Sequence, residues 1–145
     1  MGVCKSKSYD LETLDDTIEL FSLNEKIYDA KIVRVYDGDT CFAVFILDDK
    51  PVKFKIRMMG YDSPEMKPLL SKIDRDKEIK DAIKAKDELV KLVLNKCVRL
   101  ECGKWDKYGR LLGTIYVIHE GKNICVNEYM IENKFGYRYN GGKKQ

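Results

Sequence analysis

A five-stranded β-barrel with α-helices attached, an α+β fold, is what this sequence predicts, on three observations. Short runs rich in β-branched and aromatic residues alternate apolar with polar positions. Turn-forming groups, Asp37-Gly38 and the "DDKP" of residues 48–51, separate those runs. A helical period then replaces the alternation between the third run and the fourth. Strand, strand, strand, helix, strand, strand, helix is the order of an OB-fold.

The elements follow in chain order. Residues 1–9, "MGVCKSKSY", are small, polar and basic, and read as a flexible tail. They fit M-G-x-x-x-[ST], the N-myristoylation pattern, at Gly2 and Ser6, with Cys4 open to palmitoylation and Lys5 and Lys7 to anionic headgroups. One acyl chain binds membranes only marginally, so Cys4 and the lysines would serve as the second anchor; chance coincidence is the plainer alternative. In residues 10–27, Leu11, Leu14, Ile18 and Phe21 fall on one helical stripe. A packed N-terminal helix is expected there, with a regulatory arm as the alternative, and residues 28–145 form the barrel domain.

The first strands are expected at "AKIVRVY", "TCFAVFIL" and "PVKFKIRMM". In the third, Val52, Phe54 and Ile56 alternate with Lys53, Lys55 and Arg57, giving one apolar and one cationic face; solvent exposure is the plainer reading of the two lysines. Asp76 to Lys96 reads as a core-packing helix with Ile79, Ala82, Ile83, Leu89, Val90 and Val93 inward, and with Lys84–Glu88 and Asp87–Lys91 pairs outside. "CVRLEC" and "RLLGTIYVI" follow as strands around the loop "GKWDKYG", and "NICVNEYMIENK" as a second helix.

Bulk numbers narrow the function classes. A chain of 145 residues is one domain by prior, able to bury about two-thirds of its unfolded surface. No run approaches the roughly 18 apolar residues of a membrane span. The net charge of +3 is too small to announce a nucleic-acid binder by itself, so such a function must come from local arrangement. Five cysteines without C-x-x-C spacing read as reduced thiols of an intracellular, cytosol-like compartment rather than a secreted one; acylation would place the chain on the cytoplasmic face of a membrane. The one histidine, His119, stands apart from any cysteine pair, which argues against structural zinc.

Three segments carry the chemistry. "RVYDGDT" sets Asp37 and Asp39 around a glycine at a turn; "RMMGYDSPEMK" clusters Arg57, Asp62 and Glu65 at a strand end; "WDKYGR" places Arg110 at the start of a strand. Gathered carboxylates repel unless a cation neutralises them, and a donor set of oxygens favours calcium or magnesium over zinc. Two arginines match phosphate oxygens with their planar forks, so the set suits a phosphodiester and the charge that develops on it.

Together these segments resemble the staphylococcal nuclease (thermonuclease) family. The motifs stand as Asp37-Gly38-Asp39-Thr40, Arg57 with Asp62-Ser63-Pro64-Glu65, Asp106-Lys107-Tyr108-Gly109-Arg110, and Val126-Asn127-Glu128, over about residues 30 to 139. The resemblance implies the five-stranded OB-type barrel and a monomeric Ca²⁺-dependent nuclease that cuts DNA and RNA with little sequence selectivity and leaves 3′-phosphates. It implies Asp39, Asp62 and the Ser63 carbonyl as calcium ligands, Glu65 as the residue that orients and activates water, and Arg57 and Arg110 as the phosphate-binding arginines. It implies Lys107 and Tyr108 at the terminal phosphate and Tyr137 and Tyr139 lining the nucleotide pocket. Asp37 is then a turn former or a carboxylate behind the ligands, and Gly38 lets the chain reverse.

Two departures from the family pattern set further expectations. After "YRYNGG" the family enzyme continues into a helix that packs on the barrel, and the stripe in residues 10–27 is expected to cover some of that surface. The loop "MKPLLSKIDR" differs from the family's lysine-rich loop, which touches substrate contacts and not the metal site. The rival reading is a non-catalytic OB-fold nucleic-acid-binding module, and a third is a membrane-tethered adaptor.

Overall fold

The structure, a computed structural model, describes residues 8–139. Gly2, Cys4 and the acylation pattern lie outside the described residues. After one 3-10 turn at Leu11–Thr13, strands β1 (Ile27–Asp37), β2 (Thr40–Leu47) and β3 (Lys50–Met58) form an antiparallel meander. The short β4 (Tyr61–Asp62) leads to helix α1 (Arg75–Val93), followed by β5 (Cys97–Trp105), β6 (Leu111–His119), β7 (Lys122–Cys125), α2 (Val126–Glu132) and β8 (Tyr137–Arg138). β5 pairs with β1 and β6 with β5, and a parallel pairing of β3 with β6 closes the barrel at Ile56↔Leu111, Arg57↔Leu112 and Met58↔Gly113. The expected five-stranded α+β barrel is the fold observed.

The turns explain the meander. Asp48 and Asp49 both have positive φ, 49° and 66°, as a two-residue hairpin that matches the strands' twist demands. Inward residues Ile32, Ala43, Ile56, Leu100, Leu111 and Ile115 have no exposed surface and build the interior. At the end of the barrel near the β2–β3 turn, Tyr28, Phe45, Phe54 and Trp105 pack ring to ring with centroids 4.4 to 5.5 Å apart.

Six expectations need correction. Residues 10–27 form no α-helix: Leu11, Ile18, Leu20 and Phe21 are 80%, 63%, 96% and 62% exposed, and only Leu23 reaches the core. Asp10 and Asp15 instead accept the Glu12 and Thr17 amides, local bonds that compete with a helix, so the stripe covers little of the barrel. α1 stops at Val93 rather than Lys96, because Leu94 is extended and Asn95 takes φ 61°. Its buried face is Ala82, Ala85, Leu89, Leu92 and Val93; Ile83 is half-exposed, since the small alanines seat the helix against the β1–β2 turn. On the outer side Glu88 accepts the Tyr129 hydroxyl at 2.8 Å, and Lys77–Asp81 is the i,i+4 pair, in place of the expected pairings.

The other two corrections concern boundaries. β5 runs on through Gly103–Trp105, which were expected in a loop. Asn123–Cys125, expected as helix, form β7 because Glu120 and Gly121 have positive φ and turn the chain back along β6; α2 begins only at Val126.

Candidate functional site

The β1–β2 turn, the end of β3, β4 and the β5–β6 connection surround one cleft of about 920 Å³. Asp37 ends β1 and its Oδ1 accepts the Asp39 amide at 3.1 Å, an aspartate holding its own turn. Gly38 between them does not have positive φ. A Cβ there would lie 2.7 Å from both the Ala85 and the Ser63 Cβ atoms, so glycine is required by the approach of α1 and not by the reversal itself.

That contact fixes Asp39, which is only 7% exposed. Its Oδ2 accepts the Ser63 amide at 2.9 Å and the Ser63 hydroxyl at 3.0 Å, and its Oδ1 accepts the Thr40 hydroxyl at 3.0 Å. Ser63 was expected to matter through its main chain alone; its side chain also holds Asp39, a contact that threonine would keep. From β3, Arg57 is nearly buried. Its Nη1 donates to the carbonyls of Met58 and Tyr61 at 3.0 and 2.9 Å and lies 3.5 Å from Asp39 Oδ2, while Nη2 donates to Asp62 Oδ1. Asp62 arrives from β4, which Tyr61 ties to the hairpin by donating its buried hydroxyl to the Gly38 carbonyl at 2.7 Å.

The charge balance follows from these distances. Burial, then the neighbouring Asp39 charge, push the Asp37 carboxyl up to about 7. Burial pushes Asp39 the same way, but Arg57 and its hydrogen bonds outweigh that and hold it below the usual range. The Arg57 guanidinium is therefore what reconciles Asp39 with Asp62 here, where the sequence suggested a divalent ion alone.

Among the described residues no group of three or more His, Cys, Asp or Glu side chains forms a ready metal cluster. The donor chemistry nevertheless fits a hard cation: Asp37, Asp39 and Asp62 present oxygens to one cleft against the single guanidinium of Arg57 among them. Asp39, Asp62 and Ser63 are the residues that could hold it.

The opposite wall carries the second arginine. Asp106 accepts the Tyr108 and Arg110 amides, both at 2.9 Å, and the Arg110 Nε at 2.6 Å. Burial raises the Asp106 carboxyl, yet those bonds and the Arg110 charge prevail and hold it below the ordinary range. Tyr108 is 71% exposed, with the Lys107 ammonium and the Arg110 guanidinium 5.2 and 5.3 Å from its ring centroid. Glu65 is exposed on the rim, its amide donating to Glu78 of α1 at 3.2 Å.

Of the residues named from sequence, Asp39, Asp62, Ser63, Arg57, Glu65, Arg110, Lys107, Tyr108 and Tyr139 line the cleft together. Tyr137 does not; it pairs with Asp62 across β4 and β8 and so backs the strand that presents that carboxylate. Sequence reasoning missed three supports. Tyr61 and Asp106 are described above; the third is Asn127, whose Oδ1 accepts the Ile115 amide at 3.0 Å and whose Nδ2 donates to Met59 and Gly113 carbonyls at 2.8 and 3.0 Å. Asn127 and Asp106 stood inside quoted motifs, which was their only sequence signal.

Comparison with known proteins matches residues 55–142 to the family model described as "Staphylococcal nuclease homologue". That span holds Arg57, Asp62, Glu65 and Arg110 and begins after Asp39. "Staphylococcal-like nuclease CAN1" of Arabidopsis thaliana is 39% identical over 87 residues, 60% of this chain and 22% of that protein. An uncharacterized protein of Methanocaldococcus jannaschii is 34% identical over 125 residues, 76% of this chain and 58% of its own. An "Uncharacterized endonuclease" of Escherichia coli is 33% identical over 101 residues, 70% of this chain and 54% of its own. The chain thus spans between 22% and 58% of the length of these relatives.

Proposed function

Because this chain belongs to the staphylococcal nuclease homologue family, we propose that it is a nuclease, a Ca²⁺-dependent phosphodiesterase that hydrolyses DNA and RNA with little sequence selectivity and leaves 3′-phosphate ends. The observation that carries the reading is the meeting of Arg57, from β3, and Arg110, from the β5–β6 connection, with Asp39, Asp62 and Glu65 around one cleft. Relatives named as nuclease and endonuclease support it.

The residues divide the work as follows. Asp39, Asp62 and the Ser63 carbonyl would hold the calcium ion, which when bound supplies positive charge beside the phosphate and acidifies water. Glu65, on the open rim, orients the attacking water and takes its proton. Arg57 and Arg110 bind phosphate oxygens and stabilise the extra charge of the transition state; Asp106 keeps the Arg110 fork aimed. Lys107 and Tyr108 meet the terminal phosphate, and Tyr139 offers a ring for a base without reading its identity. Tyr137 acts from behind β4. The acylation pattern at Gly2, with Cys4 beside it, adds a membrane tether to the proposal; Gly2→Ala that leaves membrane partitioning unchanged removes it.

One observation favours the second reading, a non-catalytic binding module: Arg57 is engaged by the very carboxylates that would bind the ion. Incubating the protein with plasmid and labelled single-stranded DNA, in calcium and in excess chelator, separates the two. Calcium-dependent cleavage, lost in Glu65→Gln and Arg110→Ala, is expected. Retained binding with no cleavage at any calcium concentration assigns the chain to the binding class instead.

A further inference from the structure

The strongest feature left outside the cleft is the outward face of the first three strands. The register sets Arg34 opposite Phe42 and Phe42 opposite Lys55; in the neighbouring row Lys31 stands opposite Val44 and Val44 opposite Lys53. Cations and rings interleave in the side chains as well. The Arg34 guanidinium lies 5.3 Å from the Phe42 centroid, and the Lys55 ammonium 4.5 Å from that of Tyr36 and 5.9 Å from that of Phe42. Tyr36 is half-exposed, an aromatic face available to a ligand.

The row points at the cleft. Lys53, Lys55 and Arg57 share one face of β3, so cations recur every two residues, about 6.8 Å, until Arg57 enters the site. Among the described residues, Lys31, Arg34, Lys53 and Lys55 form no ion pair with a carboxylate. Beyond Lys31 lies a shallow recess of about 270 Å³ with Val44, Ile46 and Pro51 in its walls, an apolar surface with a cationic edge. Asp29, and Asp48 and Asp49 in the β2–β3 turn, then supply negative charge and bound the basic strip at its far end.

We propose that this face is a binding track for single-stranded nucleic acid, continuing the cleft away from Arg57. The lysines and Arg34 meet backbone phosphates, and Tyr36 and the recess take unstacked bases. Stacking on a tyrosine ring needs a base freed from its partner, so a single strand fits where a duplex, its bases paired, does not. Sequence selectivity is not expected, because every base has a π-face. The track rests on the nucleic-acid reading of the cleft but requires no chemistry of its own.

Binding is measured on the full chain in chelator, with fluorescent oligothymidylates of increasing length over a salt series. Affinity is expected to rise with length well beyond a dinucleotide. The double variant Lys53→Gln/Lys55→Gln flattens that rise and lowers the slope of log affinity against log salt by about 1.4, two phosphate contacts at about 0.7 each. Tyr36→Leu weakens the longer oligomers severalfold with no change of slope, and Arg34→Gln, at an exposed position, repeats the lysine effect in smaller measure. Circular dichroism checks that each variant is folded, and cleavage of a dinucleotide in calcium stays at the wild-type rate. Folded lysine variants with wild-type length dependence and slope overturn the track, as does wild-type protein whose affinity does not rise with length, while dinucleotide cleavage still upholds the catalytic reading. Length-dependent binding lost in the lysine variants, from a protein that cleaves nothing, upholds the track and overturns catalysis.

Discussion

Replacing Asn127 tests how the site is held together. Its carboxamide is buried and uses both ends: one bond to β6 at the Ile115 amide, two to the carbonyls of Met59 and Gly113. Gly113 O also accepts the Met59 amide at 2.8 Å, so Asn127→Ala leaves two groups newly unpaired, the Ile115 N–H and the Met59 carbonyl. At about 1–3 kcal/mol for each orphan, the part-buried Met59 carbonyl at the low end, the loss should be about 2–4 kcal/mol, which for a chain of this size lowers Tm by roughly 10 °C. Asn127→Asp separates hydrogen bonding from volume. An ionised carboxylate still accepts from Ile115 but faces two carbonyls with no proton to give, so its folded pKa is raised. A raised carboxyl pKa penalises the fold above the unfolded value and is harmless below it. The deficit of the Asp variant relative to wild type should therefore shrink as pH falls from about 8 to 4. Urea melts at several pH values read both effects. An alanine variant within about 1 kcal/mol of wild type, or an aspartate deficit flat with pH, refutes the clamp.

Other outcomes follow from the same geometry. Gly38→Ala should cost about 1–3 kcal/mol in a urea melt, because its Cβ meets Ala85 and Ser63, whereas Gly109→Asn, in open space at φ 80°, carries only the backbone cost that asparagine tolerates best and should lose less; equal costs would mean the close approach is unimportant. Under the proposed function, Asp39→Ala abolishes cleavage and Asp37→Ala only weakens it, measured as initial rates on single-stranded DNA; the reverse order would move the ligand assignment to Asp37. Asp106→Asn should lower kcat, since it frees the Arg110 fork, and should also destabilise the fold at pH 7; because the Asp106 carboxyl is held low, its contribution to wild-type stability is complete above the ordinary carboxylate range, so the deficit of the variant should shrink only as pH falls through the lower folded value. Removing residues 8–22 should shift stability by less than about 0.5 kcal/mol, while Leu23→Ala costs about 2–5 kcal/mol, both by thermal melts.

Much of the barrel was legible because its signals are local. Alternation along β1 to β3 and the Asp48-Asp49 pair need only neighbours in sequence, and they placed those strands within a few residues. The errors arose where tertiary contact overrides pattern. Leu11, Leu14, Ile18 and Phe21 have a helical period, but a period cannot say whether a surface waits to receive it, and among the described residues none does. Ile83 lost its place on the α1 stripe to Ala85, because the Gly38 approach rewards a small residue. In the site, residues with charges could be nominated from motif order, and nine of the ten cleft and pocket candidates do line the cleft. What no linear reading supplied was the pairing itself: Arg57 between Asp39 and Asp62, Ser63 bonding Asp39, and Asn127 tying β6 to the residue that follows β3.

The parallel seam between β3 and β6 has a kinetic consequence. Arg57 sits within it, and Arg110 lies one residue before its Leu111, so the register that shuts the barrel also sets the spacing of the two arginines. Joining strands so far apart in the chain carries a large loop-closure cost, and contacts of that kind form late and slowly. Until the seam zips, β3 and the first residues of β6 are open edges that invite pairing with another chain. On refolding, activity should consequently return with the slowest phase, after most of the helical signal. On gentle heating it should fade first, through opening of the seam, before the rest of the barrel melts.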